Sequence, residues 1–347
     1  MKIGILTHPL TSNYGGILQC YALNTYLKEL GHETIVIDRR VNRDFFLWRW
    51  GRSVLKALHY PRYYKRSSID KTVKIREFVK NRFNRTTPID TPTKMRKICG
   101  RYKLDAVLVG SDQVWRADYA MSFGYNYFLD FVPDRVIKAS YAASFGLSEW
   151  HYTAKQTRKI KFLLGRFKAI SVRESEAVSL LKDNVDIQAE HLLDPTLLLS
   201  VNDYDAIIAE RKIVDPYIFV YWLGDKTKIQ ETIAKYKEKG MNVVEINLRD
   251  TVEQLSIEEW LSYIKYAETI ITDSFHGCVF SIIFNKHFVI HTNASGGNGR
   301  LASLFIQLDI REKLTMPDAI VDYQAVNSKV KSLQSDAKKY INKVIMK

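Results

Sequence analysis

The opening stretch MKIGILTHPLTSNYGGILQCYALNTYLKELGHETIVID, residues 1–38, decides the fold class. KIGILTH reads as a short buried strand, and a loop rich in Ser, Asn and Gly follows it. Leu18, Tyr21, Ala22, Leu27 and Leu30 then recur at helical spacing, which predicts an amphipathic helix. Gly31 stops that helix, and TIVID at 34–38 reads as a second strand. A strand, helix, strand unit forces parallel pairing, so the first domain is expected to be α/β.

The alternation continues downstream. DAVLVG (105–110), KASYAAS (138–144) and KAISVR (168–173) read as strands. In an open α/β sheet the loops at the carboxyl ends of strands build the site, which nominates Gly110–Trp115, Ser144–Gly146 and Arg173–Glu174 by position. LLDPTLLL (192–199) leads into a second series: YIFVYWLG (217–224), a charged helix to Lys239, NVVEIN (242–247), a helix near 256–267, ETIITD (268–273), a helix from Gly277, and HFVIH (287–291). With 347 residues, 46% of them hydrophobic, the chain is long enough for two cores. The expected architecture is α/β, two Rossmann-like domains facing a cleft. The N-terminal domain is set at 1–200, the C-terminal domain at 201–325 and a terminal helix at 326–347. A cleft between two sets of strand ends suits a donor on one side and an acceptor on the other.

The net charge of +14 is not spread evenly. The stretch 39–103, read as a basic aromatic insertion, holds 20 Lys and Arg against 4 Asp and Glu, a local charge of +16 that leaves −2 for the rest. Within it Phe45, Phe46, Trp48, Trp50, Tyr60, Tyr63 and Tyr64 are interleaved with basic residues, a composition suited to an anionic membrane surface. Peripheral membrane contact through residues 39–66 is therefore expected, against the alternative that these aromatics pack on the first domain. A polyanion-binding module is the rival reading of this segment, but the near-neutral remainder and the lack of a nucleic-acid motif argue against a nucleic-acid partner. No apolar run approaches the roughly 20 residues that span a bilayer, and no cleavage-site pattern follows the first residues. Cys20, Cys99 and Cys278 are too widely spaced for a disulfide framework or a zinc site. A cytoplasmic location and no metal are expected.

ITDSFHGCVFSIIF (271–284) is the most informative local feature: a buried strand ends at Thr272 and Asp273, and a helix begins beside Gly277. Helix N-termini attract anions, and imidazole exchanges protons near neutral pH, so Ser274, His276 and Gly277 are candidates for binding a phosphate or carboxylate. The alternative is that Asp273 or Ser274 caps the helix while His276 packs locally. GGNGRLASLF places Arg300 after a Gly-rich loop, where a guanidinium clamps a carboxylate or phosphate or stays solvated. Arg173 directly follows a buried strand, with an ion pair to Glu174 or Glu176 as its alternative.

SNYGGILQ (12–19) has the glycines for tight backbone approach at a helix start, and Asn13, Tyr14, Gly15, Gly16 and Gln19 are candidate acceptor contacts. The stretch lacks GxGxxG spacing, and no Walker A loop is present. GSDQVW (110–115) puts Ser111, Asp112 and Gln113 at a strand end, where they can meet sugar hydroxyls. Trp115 is either a stacking face for a sugar or interdomain core.

NYGGILQ, GSDQVW, YAASFG, SVRE, DPTLLL and TDSFHG, in this order and at these separations, resemble the polysaccharide pyruvyltransferase family over residues 1 to about 310. The resemblance implies a glycosyltransferase-B-like fold, phosphoenolpyruvate (PEP) as donor substrate, no cofactor or metal, and a sugar or lipid-linked oligosaccharide as acceptor. It implies pyruvate transfer as a cyclic ketal, with release of phosphate, in bacterial surface or capsular polysaccharide biosynthesis. The N-terminal domain would be the acceptor side and the C-terminal domain the PEP side. Arg173, His276 and Arg300 match the family's basic donor positions, with Arg300 the least securely matched. His276 is expected to hold the donor phosphate and supply a proton; Asp112 is expected to contact the acceptor or act as base. Cys20 and Cys278 are modest departures. A nucleotide-sugar glycosyltransferase is the competing enzyme class, because the architecture is shared.

Overall fold

A computed structural model describes residues 1–40, 72–225, 227–247, 254–291 and 298–345. Residues 41–71 of the stretch 39–103, including the expected membrane-contacting residues beyond 40, lie outside the described residues.

The first sheet is built from β1 (Lys2–Leu6), β2 (Glu33–Val36), β3 (Ala106–Val109) and β4 (Ile137–Ser140), in the order β2-β1-β3-β4 and all parallel. Ile5 lies opposite both Val36 and Leu108, and Leu108 opposite Ala139. β3 is buried along its whole length, as expected where helices cover both faces of a parallel sheet. Bridges from Ala139 to Ala169 and from Ala143 to Val172 continue the sheet into β5 (Ser171–Val172), which pairs with β6 (Glu190–His191). At the other edge Val36 bridges Arg85 and Arg39 bridges Ile89, and Ile75, Phe78 and Val79 of the helix Val73–Arg82 enter the core. The described part of the basic stretch is thus integral to the first domain, because its apolar residues complete the sheet edge.

The second sheet contains β7 (Tyr217–Trp222), β8 (Asn242–Asn247), β9 (Thr269–Thr272) and β10 (His287–Ile290), in the order β8-β7-β9-β10, again all parallel. β7 is central and fully buried.

Two features join the halves. The helix Tyr14–Glu29 starts at Asn13, whose side chain accepts from Gly16 N at 3.1 Å, and Gly31 leaves it with φ +81, a conformation glycine adopts without steric cost. Its first residue reaches the other domain: Tyr14 stacks on Trp260 (5.4 Å, 21°) and donates to the Leu255 carbonyl at 3.0 Å. The terminal helix Tyr323–Ile345 starts against the second domain, where the Tyr323 hydroxyl donates to the Lys286 carbonyl. It then crosses back, with Gln334 donating to Leu197 O (2.7 Å) and Tyr340 to Ser140 O (2.6 Å). One apolar cluster consequently runs from Ile3 through Trp260 to Ile345. Among the described residues no helix is long and apolar enough to cross a membrane.

Candidate functional site

The carboxyl ends of the two sheets meet at the helix Phe275–Ile283. Its start is pinned from three directions. Ser274 accepts from Gly277 N at 3.3 Å, and Ser274 N donates to Thr272 Oγ1 at 3.0 Å. Glycine is required at 277, where a Cβ would lie 2.4 Å from Thr272 Oγ1. Asp273 accepts from Leu223 N and Gly224 N, both at 2.7 Å, and so ties the end of β9 to that of β7. The Gly277 N–H is therefore used in the helix cap, while the Ser274 hydroxyl accepts that bond and keeps its own O–H as a donor. The cap expected as the alternative is present at both residues.

His276, in this first turn, is turned toward the first domain. It is 7% exposed, and Gly15 packs against its ring. His276 Nε2 stands 3.6 Å from Asp194 Oδ2, close enough for charge attraction and too long for a hydrogen bond. Asp194 organises the cleft. Its Oδ1 accepts from Thr196 N (3.0 Å) and Thr196 Oγ1 (2.7 Å), an arrangement typical of Asp before a Pro-initiated turn. Its Oδ2 accepts from Arg173 Nη1 (2.8 Å) and Ser111 Oγ (3.1 Å). Burial opposes ionisation of Asp194, but His276 and Arg173 outweigh it and hold the carboxyl well below the usual range.

Arg173 is 4% exposed. Burial disfavours its charge, yet Glu174, Asp194 and Asp112 overcome that and hold the guanidinium charged. The expected partner Glu174 is present, with Arg173 Nε 3.4 Å from Oε1, but Asp194 is the closer one. Glu174 also accepts from the Ser144 hydroxyl. Arg173 lies 4.4 Å from the Phe275 ring centre, and Arg300 reaches the same ring at 5.8 Å. Burial, and then the neighbouring charge of Arg173, push the Arg300 guanidinium down. Ser303, one turn beyond Arg300, accepts from Ser175 N at 2.9 Å and so fastens the helix Asn298–Gln307 to the first domain. Around Phe275, Arg173 Nη2, Arg300 Nε and His276 Nε2 are buried and have no hydrogen-bond partner among the described residues. Buried polar groups are ordinarily paired, so three together mark a site.

On the other side, Asp112 follows β3 with φ +76, a strained conformation for a residue with a Cβ. Its Oδ1 accepts from Gln113 N at 2.8 Å, and a Cβ on Gly16 would stand 3.0 Å from its Oδ2. Burial raises the Asp112 pKa, but His8, Arg173 and His276 bring it below the usual carboxylate range. Asp112 and Gln113 line a cavity of about 560 Å³ together with His8, Asn13, Gly16 and Tyr119.

Four expected acceptor contacts lie elsewhere. Trp115 is fully buried in the first domain, stacked on Phe128 (5.9 Å, 6°), with Nε1 donating to Tyr127 O at 2.9 Å. It offers no face to a sugar, and its core belongs to one domain rather than to the interface. Tyr14 is held in the domain seam, as described above. Gln19 is fully buried and donates to Thr7 Oγ1 (3.0 Å) and Gly16 O (2.8 Å), supporting the glycine turn from behind. Ser111 belongs to the Asp194 network. Burial raises the thiols of Cys20 and Cys278, so neither is a thiolate near neutral pH. Sequence reasoning missed Asp194 and His8 as site residues. The cap pattern in Asp194-Pro195-Thr196 and the position of His8 two residues after β1 are the signals that point to them.

The family model for polysaccharide pyruvyl transferase matches residues 13–295. No curated protein is matched by the sequence. Among solved structures, the chain is similar to the UDP-GlcNAc 2-epimerase of Methanocaldococcus jannaschii, with TM-score 0.51 and 11% identity over 95% of this chain and 92% of that one. It is similar also to the UDP complex of S. aureus MnaA, with TM-score 0.50 and 13% identity over 100% and 98% of the two chains. At such identity the likeness concerns the fold, which is glycosyltransferase-B-like with two facing Rossmann-like domains. The match over residues 13–295, most of the length, places the chain in the polysaccharide pyruvyl transferase family.

Proposed function

We propose that the protein transfers pyruvate from PEP to two hydroxyls of a sugar, forming a cyclic ketal and releasing phosphate. The observation that carries this reading is the trio of buried nitrogens around Phe275, Arg173 Nη2, Arg300 Nε and His276 Nε2, which have no hydrogen-bond partner among the described residues and whose side chains are coupled by charge to Asp112 of the cavity. PEP bears a carboxylate and a phosphate, and needs several cationic or N–H partners in one place. In the proposed course, His276 protonates the PEP methylene carbon while the first sugar hydroxyl adds to the adjacent carbon. The second hydroxyl then displaces phosphate and closes the ketal. One hydroxyl proton replaces the one given to carbon, and the other leaves with phosphate. Asp112, kept ionised, orients the hydroxyls and accepts the first proton in transit; Asp194 fixes Arg173 and attracts the imidazolium.

The fold likeness to UDP-GlcNAc 2-epimerases keeps a nucleotide-sugar glycosyltransferase as the second reading. Incubation with PEP and galactose-, mannose- and glucose-containing acceptors decides between them. Acceptor-dependent inorganic phosphate with a pyruvate-sized mass gain on the sugar is the expected result. Turnover of a nucleotide sugar, with nucleoside diphosphate released and PEP untouched, would replace it.

A further inference from the structure

The cavity at the carboxyl ends of β1 and β3 is lined by two kinds of side chain, polar ones including Asn13, Asp112 and Gln113, and the aromatic Tyr119 and Phe123. Among the described residues its lining contains one carboxylate and no Lys or Arg, so it offers no lining cation to pair with a phosphate and favours an uncharged polar ligand. Tyr119 is 44% exposed, unusual for a large ring among the described residues. It is nevertheless firmly framed. The Arg116 guanidinium lies 4.9 Å from its ring centre, and Arg116 Nη1 donates to Gln113 Oε1 at 3.1 Å. The His8 ring meets it at 83° with centres 5.8 Å apart, and His8 is itself held by the Tyr127 hydroxyl at 3.2 Å. A framed aromatic ring in the same cavity as hydroxyl-binding side chains matches a pyranose, which has a C–H face and a rim of hydroxyls.

We infer that this cavity is the acceptor subsite, that it takes an uncharged pyranose, and that Tyr119 is the platform on which the sugar face packs. This rests on the reading above in treating the cavity as the acceptor side. Tyr119 takes the part that sequence reasoning gave to Trp115, and Asp112 and Gln113 hold the hydroxyls that react.

The test is saturation-transfer NMR with methyl β-D-galactopyranoside, methyl α-D-mannopyranoside and methyl β-D-glucopyranoside, on the wild-type chain, Tyr119→Ala and Tyr119→Phe. At least one glycoside is expected to bind the wild type, with affinity about tenfold weaker in Tyr119→Ala and retained in Tyr119→Phe. Thermal protection by PEP should be the same in all three, showing that the donor side is intact. Absence of transfer to all three glycosides in the wild type, or unchanged binding in Tyr119→Ala, overturns the inference. Should Tyr119→Ala fail to fold, Tyr119→Leu keeps the bulk without the ring, and full glycoside binding there has the same force. Phosphate release from PEP separates the two claims. Tyr119-dependent binding without phosphate release keeps the subsite and removes the pyruvyl transfer; phosphate release with Tyr119-independent binding does the reverse.

Discussion

Gly15 and His276 meet across the cleft from opposite domains, so closely that a Cβ built on Gly15 would stand 1.9 Å from the imidazole Nδ1. The glycine of the first domain sets the position of the imidazole of the second. Gly15→Ala should leave the helix Tyr14–Glu29 intact, since alanine is the better helix former, while displacing the ring. We expect a fall in kcat of about 100-fold, the scale of a 1 Å misplacement, with an unchanged circular dichroism spectrum. Near-normal turnover would show that the imidazole position does not matter.

His276→Gln separates binding from proton transfer, because the amide keeps an N–H donor and cannot act as an acid. A loss of kcat of at least about 100-fold with little change in PEP KM is expected. If kcat were restored to within a few-fold, His276 would be a phosphate ligand alone.

Asp194→Asn removes one partner of a buried ion pair and should cost about 3 kcal/mol, measured by the urea midpoint at neutral pH. The folded carboxyl lies below its unfolded value of about 3.9, so its stabilisation is complete above about pH 5 and is lost as pH falls through that window. Asp112 is shifted in the same direction and acts with the same sign. The melting temperature of the wild type should therefore drop more steeply between pH 5 and 3 than that of Asp194→Asn. Parallel curves would mean that the pair is not the source.

Trp115→Phe opens a gap beside Phe128 and removes the bond to Tyr127 O. A loss of stability of about 1–3 kcal/mol is predicted, with acceptor KM unchanged. A rise in acceptor KM at unchanged stability would return Trp115 to the sugar site.

Arg300→Gln should raise PEP KM about tenfold or more, the value of one charge-assisted contact, and leave the acceptor KM in place. Equal effects on both would place Arg300 outside the donor side.

The elements were legible because their apolar residues repeat on a plain period. NVVEIN at 242–247 is the observed β8 to the residue, and Gly31 does end its helix. The expected strand at 168–173 shrank to Ser171–Val172, since Ala169 makes only a single bridge to β4. The site was less legible where it depends on distance along the chain. Asp194 bonds Arg173 and Ser111, 21 and 83 residues away; the local Asp-Pro-Thr pattern marks a turn there but not which distant side chains it meets. Trp115 was misread because a tryptophan after a strand has the same sequence signature whichever way it turns; Phe128 and Tyr127 decide that it turns inward. At Ser274 and Gly277 both the cap and the ligand reading fitted the letters, and the 3.3 Å bond between them shows the cap.

The docking of Tyr14 on Trp260 and Leu255 divides the cleft into a part that tolerates change and a part that does not. Asn13, Tyr14, Gly15 and Gly16 each answer to a helix cap, a domain contact or an opposing side chain. A new substituent there would disturb the register of both halves at once. Tyr119, Ser122 and Phe123 line the same cavity from the short segment after Arg116, away from the Tyr14 contacts. On the acceptor reading proposed above, re-targeting the protein to a different sugar would be a matter of rebuilding residues 117–123 on an unaltered glycine turn, and a library confined to that segment would sample substrate choice without sampling domain assembly.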